Sequence, residues 1–389
     1  MRVMISCGEP SGDLYAAALA DALRQREPGV EIFGFGGQRL EAAGARLVGD
    51  FAGFSVTGLV EALRVVPRSF SMIRRLTESA RAVQPDVFVA IDFPDFNFRL
   101  MAAIHALGIP VVYYVSPQLW AWRPGRMQTM KRYVDRVLVI FPFEEDLYRQ
   151  AGVPVEFVGH PLVDLARATE PRAAFLLERG LLPDRPTIAL LPGSRPNEVH
   201  RIAPDMARAM PLLADRVRDV QFVVAAAPSL GADLFEPFTQ AASVLERIEG
   251  RARLIQVCGR ADDVLASCDV AITASGTATV QCALHERPMV VVYRLSPLTY
   301  RIGKPFVKVD MYAMPNLVAG DRIVPELIQE DFTPARVAAE AGRLLTDRDL
   351  HERTREALRR VRERLGAPGA SGRAADAVLA AARRGAKTA

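Results

Sequence analysis

The chain has 389 residues, of which 50% are hydrophobic and 24% charged, and its formal net charge is +4. This composition is typical of a soluble globular protein and excludes a disordered one, and the length predicts two domains. The cysteines lack C-x-x-C spacing, and no apolar run approaches the roughly 18 residues of a membrane span. We therefore expect a reduced, metal-free, cytoplasmic protein, and no motif for nucleic acid is present.

Short apolar runs alternate with helical patterns through the first part of the chain, which predicts βαβ units and a parallel sheet. The expected strands are Arg2–Ser6, Glu31–Phe35, Val87–Ile91, Val111–Val115, Arg136–Ile140 and Val155–Val158. A helix is expected over Leu14–Arg26, with Asp13 as its N-terminal cap. We interpret residues 1–165 as one doubly wound α/β domain.

The pattern lapses over residues 166–186, where prolines and charges indicate a connector. A second βα series predicts a second doubly wound domain over residues 187–345. Its expected strands are Thr187–Leu191, Gln221–Ala225, Arg253–Val257, Val270–Thr273 and Met289–Val292. A Thr-Pro helix start at Thr333 opens a helical tail, and we assign residues 346–389 to separate C-terminal helices.

Loops at the carboxyl ends of the strands are the places to look for a ligand, because open α/β sheets bind there. The first is "CGEPSGD", where Gly8 and Gly12 would let an anion approach the backbone amides of a helix start. An ordinary tight turn explains this loop equally well. The stretch "GFGG" is not a dinucleotide fingerprint, since Arg39 stands where that motif requires glycine.

The second loop, "VAIDFPDFNFRL", carries two carboxylates after a buried strand. Asp95 precedes a helical run and is expected to be its N-cap. Asp92 lies at the strand end and could act as a general base on a substrate hydroxyl. A buried aspartate bonded to neighbouring amides is an equally good interpretation of Asp92.

The third loop, "YVSPQLWAWRPGR", contains both tryptophans of the chain beside Arg123 and Arg126. Aromatic rings with arginines at a strand end suit a sugar or an acyl-phosphate ligand, although packing between domains explains them nearly as well.

The second domain has two loops that suit a diphosphate. "ALLPGSRPNEVHR" places Arg195 at a helix start, and "ITASGTATVQCAL" presents the amides of Gly276 and Thr277 at another. An ion pair between Arg195 and Glu198 is the alternative. The spacing Asp347-x-Asp349 lies in a charged helical stretch, and we interpret it as solvated surface, not as a metal site.

Seven motifs in chain order resemble those of the lipid-A-disaccharide synthase family, from Gly8 to Gly320. They are "GEPSGD", "DVFVAIDFPDFN", "YVSPQLWAWR", "FVGHP", "LLPGSRPNEV", "ASGTATVQC" and "MPNLVAG". The resemblance implies two Rossmann-like domains of the GT-B type and an inverting glycosyltransferase that needs no metal or cofactor. The implied donor is UDP-2,3-diacylglucosamine and the implied acceptor is 2,3-diacylglucosamine 1-phosphate, which become joined through a β-1,6 linkage with release of UDP.

The resemblance also implies roles for individual residues. Asp92 matches the catalytic base. The implied substrate-binding residues are Glu9, Ser11, Gly12, Trp120 and Asn316, and the implied nucleotide-binding residues are Gly193, Ser194, Arg195, Ser275, Gly276, Thr277 and Gln281. The family commonly has Glu, suited to ribose hydroxyls, where this chain has Gln281. A substitution Gln281→Glu is therefore expected to tighten UDP binding if that position reaches the ribose.

Acylated substrates imply work at the cytoplasmic face of the inner membrane as a peripheral protein, and we expect a homodimer. The segment Gly58–Val83 mixes apolar and basic residues. Its stripe from Phe70 is expected to face the core, while Val65, Val66 and Met72 are expected to form a membrane-docking patch. The rival functions are a UDP-sugar 2-epimerase-like enzyme and a non-catalytic sugar-binding protein.

Overall fold

The computed structural model describes residues 1–52, 59–119, 125–246, 253–296, 300–301 and 310–388, with 59–65 and 385–388 described by backbone alone. The described residues form two compact units. The first contains Met1–Asp164 and the chain from Leu365 onward, and the second takes the described residues between Leu165 and Arg364.

A parallel sheet with strand order β3-β2-β1-β4-β5-β6-β7 forms the centre of the first unit. Its strands are β1 (Arg2–Cys7), β2 (Glu31–Gly36), β3 (Arg46–Asp50), β4 (Val87–Ile91), β5 (Val111–Tyr114), β6 (Arg136–Val139) and β7 (Val155–Phe157). The central strands consist largely of Val, Ile, Phe and Tyr because helices cover both faces of the sheet. Every residue of Val87–Ile91 is buried as a result.

The helices of the first unit follow its strands in turn. They are α1 (Pro10–Arg26), α2 (Gln38–Ala42), α3 (Leu59–Val83), α4 (Pro94–His105), α5 (Arg126–Tyr133) and α6 (Pro142–Gln150), with α7 (Leu162–Leu165) at the junction of the units. The strand order reverses between β1 and β4, where Cys7 lies opposite Ile91. The turns that follow these two strands are therefore neighbours, at the point where doubly wound sheets bind ligands.

The second unit repeats this plan with the strand order β10-β9-β8-β11-β12-β13, again in parallel pairs. The strands are β8 (Thr187–Leu191), β9 (Gln221–Ala226), β10 (Arg253–Cys258), β11 (Val270–Ala274), β12 (Met289–Tyr293) and β13 (Glu326–Ile328). The order reverses between β8 and β11, where Leu191 lies opposite Thr273. The loops that were expected to bind a diphosphate follow these two strands.

The helices of the second unit are α8 (Arg172–Glu178), α9 (Pro196–Ala214), α10 (Glu236–Leu245), α11 (Ala261–Ser267), α12 (Thr277–Leu284), α13 (Met314–Ala319), α14 (Pro334–Thr346) and α15 (Arg348–Arg364), with 3₁₀ turns at Ala232–Phe235 and Gln329–Asp331. The stretch 166–186 contains α8, which Arg172 joins to Asp269 through two hydrogen bonds of 2.8 and 2.9 Å. The connector expected there is thus bonded into the second unit.

The last helix, α16 (Ala370–Thr388), belongs to the first unit and packs against α1. Arg26 on α1 forms an ion pair of 2.5 Å with Asp376 on α16. Asp164 accepts hydrogen bonds from the amides of Gly369 and Ala370, which fixes the start of the helix. We expected residues 346–389 to be a separate helical segment, but the two units share them.

All eleven expected strands agree with the structure to within one residue at each end, and two strands were missed. The strand β3 is half-exposed along its length, and β13 has only three residues. Neither presents an apolar run that a sequence pattern could detect. No helix in the described ranges is long and apolar enough to cross a membrane.

Candidate functional site

The turn between β1 and α1 leaves no room for a side chain at Gly8. A Cβ there would lie 2.1 Å from the ring of Phe93, which follows β4. The helix α1 begins at Pro10, four residues before the expected start, and Glu9 and Ser11 are half-exposed beside it. Gly12 is buried, and a Cβ on it would make only ordinary contacts. The close packing of Gly8 on Phe93 therefore joins the first two candidate loops.

Asp13 does not cap α1 as expected, because the helix has already begun at Pro10. Its buried carboxylate instead accepts the amide hydrogens of Gly37, Arg39 and Leu40, at 2.8, 2.9 and 3.2 Å. These are the donors at the start of α2, which a carboxylate satisfies well. Asp13 thus has a structural role between the helices.

Asp92 and Phe93 both adopt left-handed backbone angles, with φ of 45° and 48°. Such a conformation costs a non-glycine residue about 1–3 kcal/mol, so the surroundings must stabilise it. The Asp92 carbonyl accepts hydrogen bonds of 2.8 Å from the side-chain Nδ2 of Asn97 and from the hydroxyl of Tyr113. Asn97 is fully buried and its Oδ1 accepts the Ser6 hydroxyl at 2.7 Å. A buried polar network therefore holds the turn, and the Asp92 side chain is half-exposed.

Three buried side chains that carry a proton, Cys7, Tyr113 and Tyr15, are influenced by the charge of the Asp92 carboxylate. Burial raises the pKa of Cys7, and the carboxylates of Asp13 and Asp92 raise it further. Burial likewise raises the pKa of Tyr113, with Asp92 as the next cause. The pKa of Tyr15 is raised by burial, then by Tyr114 and Asp92. These three groups therefore stay neutral at pH 7.

Asp95 is not the N-cap of its helix, contrary to the sequence interpretation. The helix α4 begins at Pro94, and the cap position is Phe93 in its left-handed conformation. Asp95 lies in the first turn, where it is exposed and pairs with Arg126 at the start of α5. Arg126 also lies over the ring of Phe98, 5.0 Å from its centroid. Trp120 and Arg123, which the sequence suggests as ligand-binding residues, lie outside the described residues.

His160, in the motif "FVGHP", is buried and uncharged. Its Nδ1 accepts the amide hydrogen of Leu162 at 3.1 Å, which assigns the proton to Nε2. Burial lowers the pKa of His160 to about 3. The ring lies edge-on to Tyr15, with centroids 6.0 Å apart. This histidine therefore packs against Tyr15 of α1.

In the second unit, the loop after β8 turns through Gly193, whose φ is 125°. Arg195 is the N-cap residue of α9 and is half-exposed. Glu198, in the first turn of α9, accepts the amide hydrogen of Ser194 at 3.0 Å. A Cβ on Gly193 would lie 2.3 Å from this carboxylate. The Ser194 amide thus already has an anionic partner within the chain.

The loop after β11 presents an open helix start. Gly276 and Thr277 are exposed, and nothing described lies within 4 Å of a Cβ built on Gly276. The φ of 144° and ψ of −154° at Gly276 belong to a region that only glycine adopts readily. Ser275 donates its hydroxyl to the carbonyl of Tyr312 at 3.2 Å. The backbone at 276–277 is therefore accessible to an anion, which helix N-termini favour.

Gln281 and Asn316 have internal partners. The side-chain amide of Gln281 donates to Asp262 Oδ1 at 3.0 Å. Asn316 is fully buried: its Nδ2 donates to Val324 O and Glu326 Oε1, while its Oδ1 accepts the amides of Ile323 and Val324. All the hydrogen-bonding capacity of the Asn316 side chain is used within the second unit.

Sequence reasoning missed the residues that support these sites, chiefly Asn97, Tyr113 and Asp262. Asn97 had a detectable signal, because it is a polar residue in the apolar stretch "FNFRLMAAI" of a core-facing helix. Tyr113 and Asp262 had none, since their partners lie 21 and 19 positions away in the chain.

The family model described as Lipid-A-disaccharide synthetase matches residues 3–381 of the chain. The lipid-A-disaccharide synthase of Myxococcus xanthus is 44% identical over 379 residues, which cover 97% of each chain. Among solved structures, UDP-GlcNAc 2-epimerase from Neisseria meningitidis bound to UDP-GlcNAc has a TM-score of 0.66 at 12% identity, covering 97% of this chain and 100% of that one. CalG4, the calicheamicin glycosyltransferase, has a TM-score of 0.62 at 18% identity, covering 98% of both chains. These structures confirm the expected fold of two doubly wound domains.

Proposed function

Because the chain belongs to the lipid-A-disaccharide synthetase family, we propose that Asp92 is the base of its glycosyl transfer and that the second unit binds the UDP of the donor. The enzyme is a glycosyltransferase that joins two acylated glucosamines, taking the donor sugar from UDP-2,3-diacylglucosamine. The acceptor is 2,3-diacylglucosamine 1-phosphate. The family match over residues 3–381 is the observation that carries this function.

The reaction is a single displacement with inversion. The acceptor hydroxyl attacks the anomeric carbon of the donor, the bond from that carbon to the diphosphate breaks, and UDP leaves. Asp92 takes the proton of the attacking hydroxyl, which requires that oxygen to come within about 2.6–3.2 Å of the carboxylate. The fixed backbone turn at Asp92 supports this role, because a base must be held in one position relative to the hydroxyl.

Negative charge develops on the departing diphosphate. We assign its stabilisation to Arg195 and to the exposed amides at Gly276 and Thr277, together with the dipole of α12. Ser194 contributes less than the sequence suggested, because its amide donates to Glu198. Asn316 acts as a positioning residue. It donates to Glu326, whose carboxylate also accepts the backbone amides of Tyr312 and Ala313. These bonds fix the backbone at Tyr312, whose carbonyl accepts the Ser275 hydroxyl.

The rival epimerase is separated from the synthase by the acceptor. Purified protein is incubated with UDP-2,3-diacylglucosamine, with and without 2,3-diacylglucosamine 1-phosphate, and free UDP and the disaccharide are measured. We expect both products only when the acceptor is present. Conversion of UDP-GlcNAc without an acceptor would favour the epimerase, and binding without any turnover would favour a sugar-binding protein.

We also propose that the enzyme works as a peripheral protein at the cytoplasmic face of the inner membrane, because both substrates carry acyl chains. The helix α3 supplies the docking surface. The structure changes which residues can form this surface. Met72 is buried in the core, whereas Phe70 is 54% exposed and Val66 is 36% exposed. Leu76 and Ala80 are buried and Ile73 and Val83 are half-buried against the core, as expected, so the only changes among the described side chains of this helix are that Phe70 is exposed and Met72 is buried. The side chain of Val65 is not among those described.

Replacing Val66 and Phe70 by Ser is expected to release the protein from anionic vesicles while leaving its thermal stability and its activity in detergent near wild type. Sedimentation with the vesicles measures the release. Met72→Ser is the matched control on the same helix and is expected to lower the melting temperature, since it removes a core side chain. Full vesicle binding by the double variant would exclude this surface. A homodimer stays a prediction, which light scattering tests.

A further inference from the structure

A cluster of three polar side chains joins α11 to α12 in the second unit. Asp262 lies in the first turn of α11, and its Oδ1 accepts a hydrogen bond of 3.0 Å from the side-chain Nε2 of Gln281. His285 Nε2 lies 3.0 Å from the same oxygen. The side chain of His285 is 12% exposed and that of Asp262 is 23% exposed, so solvent reaches the carboxylate from one side. Two partners on one oxygen fix the direction of this carboxylate.

The second oxygen of Asp262 is the informative atom. Within the part of the chain that the structure describes, no group donates a hydrogen bond to Asp262 Oδ2. The adjacent carboxylate, Asp263, differs because both of its oxygens accept hydrogen bonds. Asp263 is 4% exposed and accepts hydrogen bonds from Thr169 and Glu170 on one oxygen and from Arg260 on the other. Burial raises the pKa of Asp263, but these hydrogen bonds outweigh it and lower the pKa to about 2. Both oxygens of Asp263 therefore accept hydrogen bonds within the fold, whereas Oδ2 of Asp262 can still accept one from a ligand.

The position of Asp262 suits a ribose. Gln281 is four residues beyond Thr277 in α12, which is about 6 Å along the helix axis. The cluster therefore lies one helical turn from the amides that we assign to the diphosphate, and in UDP the ribose is bonded directly to that diphosphate. Carboxylates at the carboxyl edge of such sheets bind ribose hydroxyls, because both hydroxyls can donate to the anion.

We infer that Asp262 binds the ribose hydroxyls of the UDP-linked donor through Oδ2, with Gln281 and His285 as positioning residues. The inference rests on the proposed function, since it needs UDP on α12. It explains how this chain retains a carboxylate at the ribose although position 281 is Gln. It also reverses the expectation for Gln281→Glu, because a second carboxylate would then lie at hydrogen-bonding distance from Asp262, where like charges repel.

The test compares the affinities for UDP and 2′,3′-dideoxy-UDP, measured by calorimetry. Wild type is expected to prefer UDP by about tenfold to a hundredfold, the effect of a hydrogen bond to a charged group. Asp262→Asn should lose most of this preference by weakening UDP alone. Asp349→Asn, which removes the same charge from an exposed position of the second unit, is the matched control and should keep it.

Two further variants place a carboxylate at position 281, one of them in addition to Asp262 and the other in its place. Gln281→Glu alone is expected to weaken UDP binding, and the double variant Asp262→Asn/Gln281→Glu, which transfers the carboxylate to the other member of the pair, should recover part of the preference. Equal weakening of both nucleotides by Asp262→Asn would overturn the inference and leave a structural role. Tighter UDP binding by Gln281→Glu would overturn it in favour of position 281. Absence of UDP binding by wild type would overturn the proposed function itself.

Discussion

The turns after β4 and after β11 occupy equivalent places in two similar sheets but are built in opposite ways. At Asp92 the chain adopts a left-handed conformation without glycine, and a buried network of Asn97, Tyr113 and Ser6 stabilises it. At Gly276 a glycine adopts its unusual angles in open space, and the amides that follow are exposed.

The contrast fits the roles that we propose for the two turns. A proton acceptor is one side chain that must be held in one direction, so its backbone needs rigid support. A diphosphate is bound by several amides at once, so the backbone itself must be accessible and free of side chains. The substitutions below test this division, from the largest expected effect to the smallest.

Asp92→Asn is expected to lower kcat by about two to four orders of magnitude, the usual contribution of a positioned base, while UDP affinity and melting temperature stay near wild type. Steady-state kinetics and calorimetry measure these quantities. Asp95→Asn is the control, and it should cost little because Asp95 belongs to an exposed ion pair with Arg126. Equal losses from the two variants would remove the distinction between them.

Asn97→Ala is expected to lower the free energy of unfolding by about 1–3 kcal/mol, because buried hydrogen-bonding groups lose their partner. It should also lower kcat with little change in KM, since the Asp92 carbonyl is released. Urea denaturation and kinetics give the two values. Ser6→Ala leaves the bond from Asn97 to Asp92 in place and should affect kcat less. An unchanged kcat in Asn97→Ala would mean that the turn needs no such support.

Gly276→Ala is expected to weaken UDP binding by about tenfold, because alanine disfavours the backbone angles that expose the amides. No steric clash contributes, since the space around Gly276 is open. Gly180→Ala is a matched control: Gly180 also has a positive φ of 72° and open space but lies after α8, away from the site. Both variants should lose some stability, and only Gly276→Ala should lose UDP affinity.

The smallest effect concerns pH. The folded-state pKa of His160, about 3, is below the unfolded value of about 6.5, so its stabilising effect is complete above pH 6.5 and is lost as the pH falls toward 3. Between pH 7 and 5.5 this amounts to about 1 kcal/mol. Hydrogen exchange of first-unit amides should show that loss in wild type and a smaller one in His160→Gln. The same slope in both proteins would assign the acid sensitivity to another group.

The sequence predicted the repeating architecture well because buried parallel strands read as continuous apolar runs, as Val87–Ile91 does. It failed where tertiary packing decides. On α3, Leu76 and Ala80 are buried as expected, but Phe70 is exposed and Met72 is buried, because tertiary contacts decide which of two nearby apolar side chains enters the core. Asp95 lost the cap position because Pro94 can start a helix after a left-handed residue, and that conformation depends on Asn97 and Tyr113.

The candidate site shows the same limit. Asp92 could be selected because a carboxylate at the end of a buried strand is conspicuous in one sequence. Asp262 could not, because it looks like an ordinary acidic residue in the first turn of a helix, where such residues are common. What distinguishes it from Asp263 is the number of bonds each carboxylate accepts, and that number depends on residues far away in the chain.

The return of α16 to the first unit has a consequence for synthesis on the ribosome. The amide of His160 bonds to the carbonyl of Leu365, and Arg26 pairs with Asp376, so the first unit lacks these contacts until about the last 25 residues emerge. The second unit, which ends at Arg364, is complete earlier. The first unit therefore cannot gain its last helix until the second unit has been translated, and a nascent chain that stalled near residue 364 would lack the α16 that covers one face of α1.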